Sequence, residues 1–172
     1  MAASARTSDL LMAMQPDLHK QRVLLIDRHP PARESLRLML ANLGITQVHG
    51  AGSAAEVLRQ VKHNRFDIVL SDYILEDGRD GQQLLEELRH SQLLPLTSVY
   101  MIVTSERSYQ NVASLAELTP DDYLIKPCTA EQLQTRLAKA LYKKRILKPI
   151  YTHMARGALA AAVEACDQVL LE

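Results

Sequence analysis

The sequence predicts an α/β fold: a doubly wound, five-stranded parallel sheet with helices on both faces, followed by a C-terminal helical hairpin. Three observations carry this. Short runs recur that are apolar at successive positions, as strands buried on both faces require. Each is followed by a segment with apolar residues at helical spacing. The strong runs also end in polar, chemistry-bearing residues, as strands do at the carboxyl edge of an open α/β sheet.

The elements follow in order. Residues 1–19 are small, polar and mixed, a loose lead-in with a short helix over 10–14 before the breaker Pro16. RVLLID (22–27) is the first strand and ends in an acid. Pro30 and Pro31 open the first helix, where proline suits the first turn. Leu36, Met39, Leu40 and Leu43 mark its apolar face and Gly44 stops it. ITQVHG (45–50) is a weaker, edge-like strand. Ser53 with Glu56 forms a capping box for a helix carrying Val57, Leu58 and Val61. FDIVLSD (66–72) is a second buried strand ending in an acid. A loop rich in Gly and Asp (76–81) leads to a helix marked by Leu84, Leu85 and Leu88. SVYMIVTS (98–105) is a third buried strand, and residues 107–117 form a short helix. DYLIKP (122–127) is the last strand. Thr129 with Gln132 caps a long helix running to about residue 147.

Beyond Pro149 the texture becomes alanine-rich helix. Ile150 and Met154 give one stripe, Gly157 breaks it, and Leu159, Val163, Cys166 and Leu170 give another. The organisation is therefore a lead-in (1–19), an α/β domain (20–147) and a helical hairpin (148–172). Those four stripe residues cannot all be buried within one short hairpin, and the chain ends without a C-cap signal. The hairpin reads as the first unit of a longer helical-repeat array, cut short here.

Composition bounds the function. At 172 residues, the chain is one domain plus an appendage. Lys plus Arg and Asp plus Glu number 20 each, so the formal charge is zero. A nucleic-acid or anionic-membrane binder would carry a basic excess. Aromatics are 4% with no Trp, which excludes a base-stacking platform. Cys128 and Cys166 stand far apart without a CxxC, so a disulfide framework is disfavoured and a reducing, cytoplasmic setting is expected. No transmembrane run and no cleavable signal are read. The six histidines show no metal spacing.

Asp27, Asp72, the Thr104–Ser105 pair and the Lys126–Pro127 pair all fall at carboxyl ends of strands. Two carboxylates, a hydroxyl and an ammonium on one edge form a phosphoryl-transfer inventory. A carboxylate can attack phosphorus, Mg²⁺ bound through carboxylates can clamp the phosphoryl oxygens, and lysine and hydroxyl can hold the remaining charge. A competing pattern is Gly50-Ala-Gly-Ser-Ala-Ala55, which matches G-x-G-x-x-A, with Asp72 about 20 residues on. It would make the chain a dinucleotide-binding oxidoreductase. That reading leaves Asp27, Thr104 and Lys126 unexplained and sets the motif after an edge-like strand.

The motifs LLIDRHPPAR, LSDYILEDGRDG, IVTS and YLIKP resemble the receiver domain of two-component response regulators, a flavodoxin-like fold, over about residues 22–144. The resemblance implies a bacterial signalling protein, not an enzyme. Asp72 would be the phosphoacceptor, served by a sensor histidine kinase or phosphotransfer protein. Asp27, Asp72 and the Ile74 backbone carbonyl would hold Mg²⁺. Thr104, with Ser105 beside it, would be the switch hydroxyl, Tyr123 the aromatic that responds to it, and Lys126 the phosphate-pairing lysine. Lys126–Pro127 would be a cis peptide. Homodimerisation is expected through residues 122–147, with Glu117, Asp121, Arg136 and Lys139 as mixed charges. The hairpin loosely resembles a tetratricopeptide unit and would engage a downstream protein.

Two departures bear on this. Arg28 stands where the family places an acid that ligates Mg²⁺. It either pairs with Asp72 and competes with the metal, or turns to solvent and leaves the pocket one ligand short, so Mg²⁺ binding is expected to be weak or absent. The loop after Asp72 is one residue longer than usual and has Glu76 in place of proline, with Glu76, Asp77 and Asp80 as candidate compensating acids. A pseudo-receiver that docks or dimerises without phosphorylation is the alternative within this fold.

Overall fold

The structure, a computed structural model, describes residues 18–106 and 118–171. The helices expected over 10–14 and 107–117, and Glu117 with them, lie outside the described residues. Five parallel strands form one sheet in the order β2-β1-β3-β4-β5. They are β1 (Arg22–Ile26), β2 (Gln47–Ala51), β3 (Ile68–Ser71), β4 (Val99–Thr104) and β5 (Asp122–Ile125). The register aligns Ile26 with Ser71 and Thr104 with Ile125. The residues just past β1, β3 and β5 therefore emerge together at one edge. The doubly wound five-stranded sheet expected from the sequence is what forms.

Alternation along the strands builds two cores. Leu24, Ile26, Val69, Tyr100 and Ile102 pack with Val57 and Val61 of α2 (Ala54–His63) and with Leu84, Leu85 and Leu88 of α3 (Gly81–His90). On the other face, Val23, Leu25, Ile68, Leu70, Met101 and Val103 pack with Leu36 and Leu40 of α1 (Pro30–Asn42). Leu133, Leu137 and Ala140 of α4 (Ala130–Ala155) complete that layer. Both faces of the three central strands are covered, which is why they read as continuous apolar runs.

Several local expectations shift. Ser53 Oγ accepts from the Glu56 N–H at 3.3 Å, but the Glu56 carboxylate reaches the Gly52 N–H at 2.6 Å, so only half of that capping box forms. Thr129 with Gln132 closes fully, and so does a box not expected from the sequence, Asp80 with Gln83. Asp80 is thus a helix cap, and Glu76 and Asp77 are exposed. Gly44 ends α1 at φ +82°, the left-handed conformation expected of it.

The tail differs most. The last helix of the domain does not stop near 147; α4 runs unbroken through Pro149 to Ala155. Pro149 is exposed, so water can satisfy the carbonyl its missing N–H leaves unpaired. After Gly157 (φ +69°), α5 (Leu159–Leu171) folds back on α4. Of the stripe Leu159, Val163, Cys166 and Leu170, Cys166 packs against the hairpin core and the other three do not, in keeping with a stripe too large for one hairpin to bury. Ala162 and Ala165 are buried against α4, with Cys166 and Val169 beside them, because small residues let two helices approach closely. Leu159, Val163 and Leu170 stay exposed.

At the opposite edge of the sheet a buried charge ties α4 to the domain. Lys144 is 7% exposed and its Nζ lies 2.9 Å from Asp121 Oδ1 and 2.6 Å from the Leu96 carbonyl, which accepts from it. The Tyr151 ring lies 5.1 Å from the same ammonium. Burial pushes the Lys144 pKa down, and Asp121 opposes that shift. No described helix is long and apolar enough to cross a membrane.

Candidate functional site

Asp27 directly follows β1, Asp72 follows β3 and Lys126 follows β5, so the sheet register alone brings the three together. Lys126 Nζ donates to Asp27 Oδ2 at 2.5 Å and to Asp72 Oδ2 at 3.3 Å. The Asp27 side chain is 1% exposed and that of Asp72 13%. The buried carboxylate is the anchor of the site; the more open one faces solvent. Each also uses its second oxygen. Asp27 Oδ1 accepts the His29 N–H at 2.8 Å, and Asp72 Oδ1 accepts the Tyr73 N–H at 2.7 Å. Burial works against the charged form of Asp27, but the bonds from Lys126 and His29 outweigh it and hold its pKa below the usual carboxylate value.

Thr104 ends β4 and is 3% exposed; its hydroxyl accepts the Glu106 N–H at 3.2 Å. Ser105 is exposed. The Lys126 N–H bonds the Thr104 carbonyl at 2.8 Å, fixing lysine and hydroxyl on adjacent strand ends. Lys126–Pro127 is a cis peptide. Tyr123 is half-buried and packs against the core shared by α2 and α3. Ile74 lies in the loop after Asp72, bridged to Asp80, with its side chain exposed.

Gly81 holds this loop close. A Cβ there would lie 2.5 Å from the Asp72 carbonyl oxygen and 2.8 Å from Ile102 Cδ1. The buried Tyr100 hydroxyl donates to the Gly81 carbonyl at 2.7 Å. The loop is thereby clamped to β4.

Arg28 is exposed and forms no ion pair among the described residues. Of the two conformations open to it, pairing with Asp72 is not the one adopted, and the cation on Asp72 is Lys126. Two residues that the sequence reading passed over take part. His29 Nδ1 lies 3.2 Å from Asp27 Oδ1, and the Arg33 guanidinium donates to the Asp27 carbonyl. The signal for His29 was its position two residues after a strand-end aspartate, where a backbone N–H turns back to cap the carboxylate. Ligand atoms of Asp27, His29 and Asp72 all lie within 4.8 Å of one another. Two carboxylates together at one edge of the sheet suit a divalent cation such as Mg²⁺, so the donor set fits the group that the resemblance implies.

The glycine motif at 50–55 does not form a nucleotide cradle. The space beside Gly50 and Gly52 holds the Arg33 side chain, at 3.5 Å from a Cβ built on either. Asp72, the acid that pattern required, is engaged by Lys126 two strands away.

Fold and site together define an α/β module centred on a lysine-paired strand-end carboxylate. A family model described as the response regulator receiver domain matches residues 23–138, and the chain belongs to that family. The chemotaxis protein CheY-3 of Vibrio cholerae is 28% identical over 127 residues, 73% of this chain and 96% of that protein. The chemotaxis protein CheY of Pseudomonas aeruginosa is 26% identical over 118 residues, 69% of this chain and 94% of that protein. Among solved structures, a sensor protein from Polaromonas sp. JS666 matches with TM-score 0.64 and 25% identity, covering 72% of this chain and 98% of that one. A receiver domain protein from Clostridium thermocellum matches with TM-score 0.63 and 24% identity, covering 74% and 98%.

Proposed function

We propose that the chain accepts a phosphoryl group on Asp72 from a histidine kinase or phosphotransfer protein and relays its presence to the C-terminal helices. The observation that carries this is the convergence of Asp27, Asp72 and Lys126 within hydrogen-bonding distance at the end of three strands. A carboxylate oxygen of Asp72 attacks phosphorus, the bond from phosphorus to the donor nitrogen breaks, and an acyl phosphate forms. Lys126, already 3.3 Å from Asp72, holds charge on the transferred group. A divalent cation supplies charge neutralisation when bound, with Asp27, Asp72 and the Ile74 carbonyl as the residues to hold it. The Thr104 hydroxyl is the group that would follow the phosphoryl oxygen, and Tyr123 reports its movement. The protein is then a signal acceptor rather than an enzyme, working in the cytoplasm of a bacterium.

The continuous α4 leads out of the domain into the hairpin. Its exposed Leu159, Val163 and Leu170 favour a tetratricopeptide-like unit that meets further helices or a downstream protein. Self-association through residues 122–147 has fewer spare charges than expected, since Asp121 pairs with Lys144 and Arg136 with Asp122 at 3.0 Å. One observation favours the second reading, a phosphorylation-independent docking module: Arg28 replaces an acid in the metal pocket. Incubation with a small phosphodonor and Mg²⁺, followed by intact-mass measurement, decides between them. The gain of one phosphoryl group in the wild type and none in Asp72→Ala supports the first reading; no gain in either supports the second.

A further inference from the structure

We propose that the pocket takes a first-row transition cation, with the His29 imidazole as a ligand, in preference to Mg²⁺. This rests on the reading of the pocket as a cation-assisted phosphoacceptor site and names its cation. Arg28 removes the oxygen ligand adjacent to Asp27. The next residue along supplies a nitrogen instead.

The geometry permits a tripod. Ligand atoms of Asp27, His29 and Asp72 lie within 4.8 Å of one another. Ligands at about 2.0–2.2 Å from a cation stand at most roughly 4.4 Å apart, so a shift of a few tenths of an ångström closes the site. Lys126 occupies Oδ2 of each carboxylate, and Oδ1 of each accepts one backbone N–H. A carboxylate oxygen has a second lone pair, which lets Asp72 Oδ1 ligate directly and Asp27 Oδ1 ligate once the His29 ring, 3.2 Å away, turns from it to the cation.

His29 is placed for this role. Its backbone N–H and its ring both approach Asp27 Oδ1, so the ring already stands over the carboxylate. Its side chain is 60% exposed, so it can turn a ring nitrogen inward at little packing cost. The cation follows from the donor chemistry. Mg²⁺ demands oxygen ligands in near-ideal octahedral geometry. Imidazole suits transition metals, whose affinity for mixed nitrogen and oxygen sites exceeds that of Mg²⁺. Within the ion-paired cluster Asp27 and Asp72 against Lys126 leave one net negative charge to attract the ion, while the neighbouring cation Arg28 is turned to solvent.

The test is calorimetric titration of the full chain with Mn²⁺ and, separately, Mg²⁺, on the wild type and on His29→Ala. NMR broadening of the His29 ring protons by substoichiometric Mn²⁺ locates the ion. His29 is exposed, so the variant should fold, which circular dichroism verifies. The expected result is Mn²⁺ bound about tenfold more tightly than Mg²⁺. His29→Ala should then weaken Mn²⁺ about tenfold and change Mg²⁺ less than about twofold. Unchanged Mn²⁺ affinity in His29→Ala, or wild-type Mg²⁺ affinity equal to that for Mn²⁺, overturns the proposal. Intact-mass measurement with phosphodonor under each cation separates the two readings. Phosphorylation of Asp72 without any effect of His29 on Mn²⁺ refutes the cation assignment alone. His29-dependent Mn²⁺ binding without phosphorylation under either cation upholds the cation assignment and refutes the phosphoacceptor role.

Discussion

Lys126 Nζ lies closer to Asp27 than to Asp72, at 2.5 Å against 3.3 Å. The lysine is thus anchored first on the buried carboxylate and leans toward the more open one. The arrangement neutralises Asp27 where burial would otherwise make its charge expensive. It also keeps an ammonium beside Asp72 without sealing that carboxylate from solvent.

Lys126→Met should therefore destabilise the protein. It strands a carboxylate that is 1% exposed, and breaking such a pair costs roughly 3 kcal/mol. The pH dependence fixes the sign. Asp27 has a folded pKa below its unfolded value. Its contribution is thus fully present above the ordinary carboxylate pKa of about 4 and is lost as pH falls through the lower folded value. Urea unfolding should show a large gap between wild type and variant at pH 7 that narrows in acid. A gap independent of pH would contradict the assignment.

Arg28→Asp should tighten Mg²⁺ binding by roughly tenfold. The argument has two parts: an added oxygen ligand, and a charge reversal worth about 1 kcal/mol or more near the ion. Arg28 pairs with nothing among the described residues, so the substitution costs no internal contact. Calorimetric titration with Mg²⁺ measures it, and no gain would show that Arg28 does not limit the pocket.

Gly81→Ala should damage both fold and site. The new methyl would meet the Asp72 carbonyl oxygen at 2.5 Å and Ile102 Cδ1 at 2.8 Å, and the first of these is backbone that cannot turn away. A loss of about 2–3 kcal/mol is expected from overpacking, together with slower phosphorylation as the Asp72 loop is pushed outward. Thermal melts and the initial rate of mass gain test the two parts separately.

Asp121→Ala should cost more than Lys144→Met. Removing the acid leaves the Lys144 ammonium buried with a carbonyl and the Tyr151 ring as partners, whereas Lys144→Met leaves the Asp121 carboxylate, 13% exposed, still accepting the Tyr100 N–H at 2.8 Å. Breaking such a buried pair from either side costs roughly 3 kcal/mol, and Asp121→Ala additionally strips the Tyr100 N–H of its acceptor. Equal losses in denaturant melts would mean that the bond to the Tyr100 N–H adds nothing.

The fold was legible because each signal was redundant. Every central strand was both continuously apolar and terminated by a polar residue, and proline, glycine and capping residues marked helix ends. Asp27, Asp72, Thr104 and Lys126 were legible for the same reason: position at a strand end is a sequence property. The tail was less so. The long helix was expected to end at about residue 147, yet an exposed proline can sit within a helix that tertiary packing holds. In α5 the stripe of Leu159, Val163, Cys166 and Leu170 was legible as too large for one hairpin to bury, but not that close helix contact selects Ala162 and Ala165. His29 was missed because a single histidine carries no spacing, and its role depends on a backbone turn about Asp27.

The most direct test of the central claim is chemical mapping of the acyl phosphate. After treatment with a small phosphodonor, reduction with borohydride converts a phosphorylated aspartate to homoserine, and peptide mass mapping locates it. The account predicts homoserine at position 72 and none at position 27, with the signal abolished by omission of the phosphodonor. Conversion at another aspartate, or none in a protein shown to be folded and supplied with divalent cation, would contradict it.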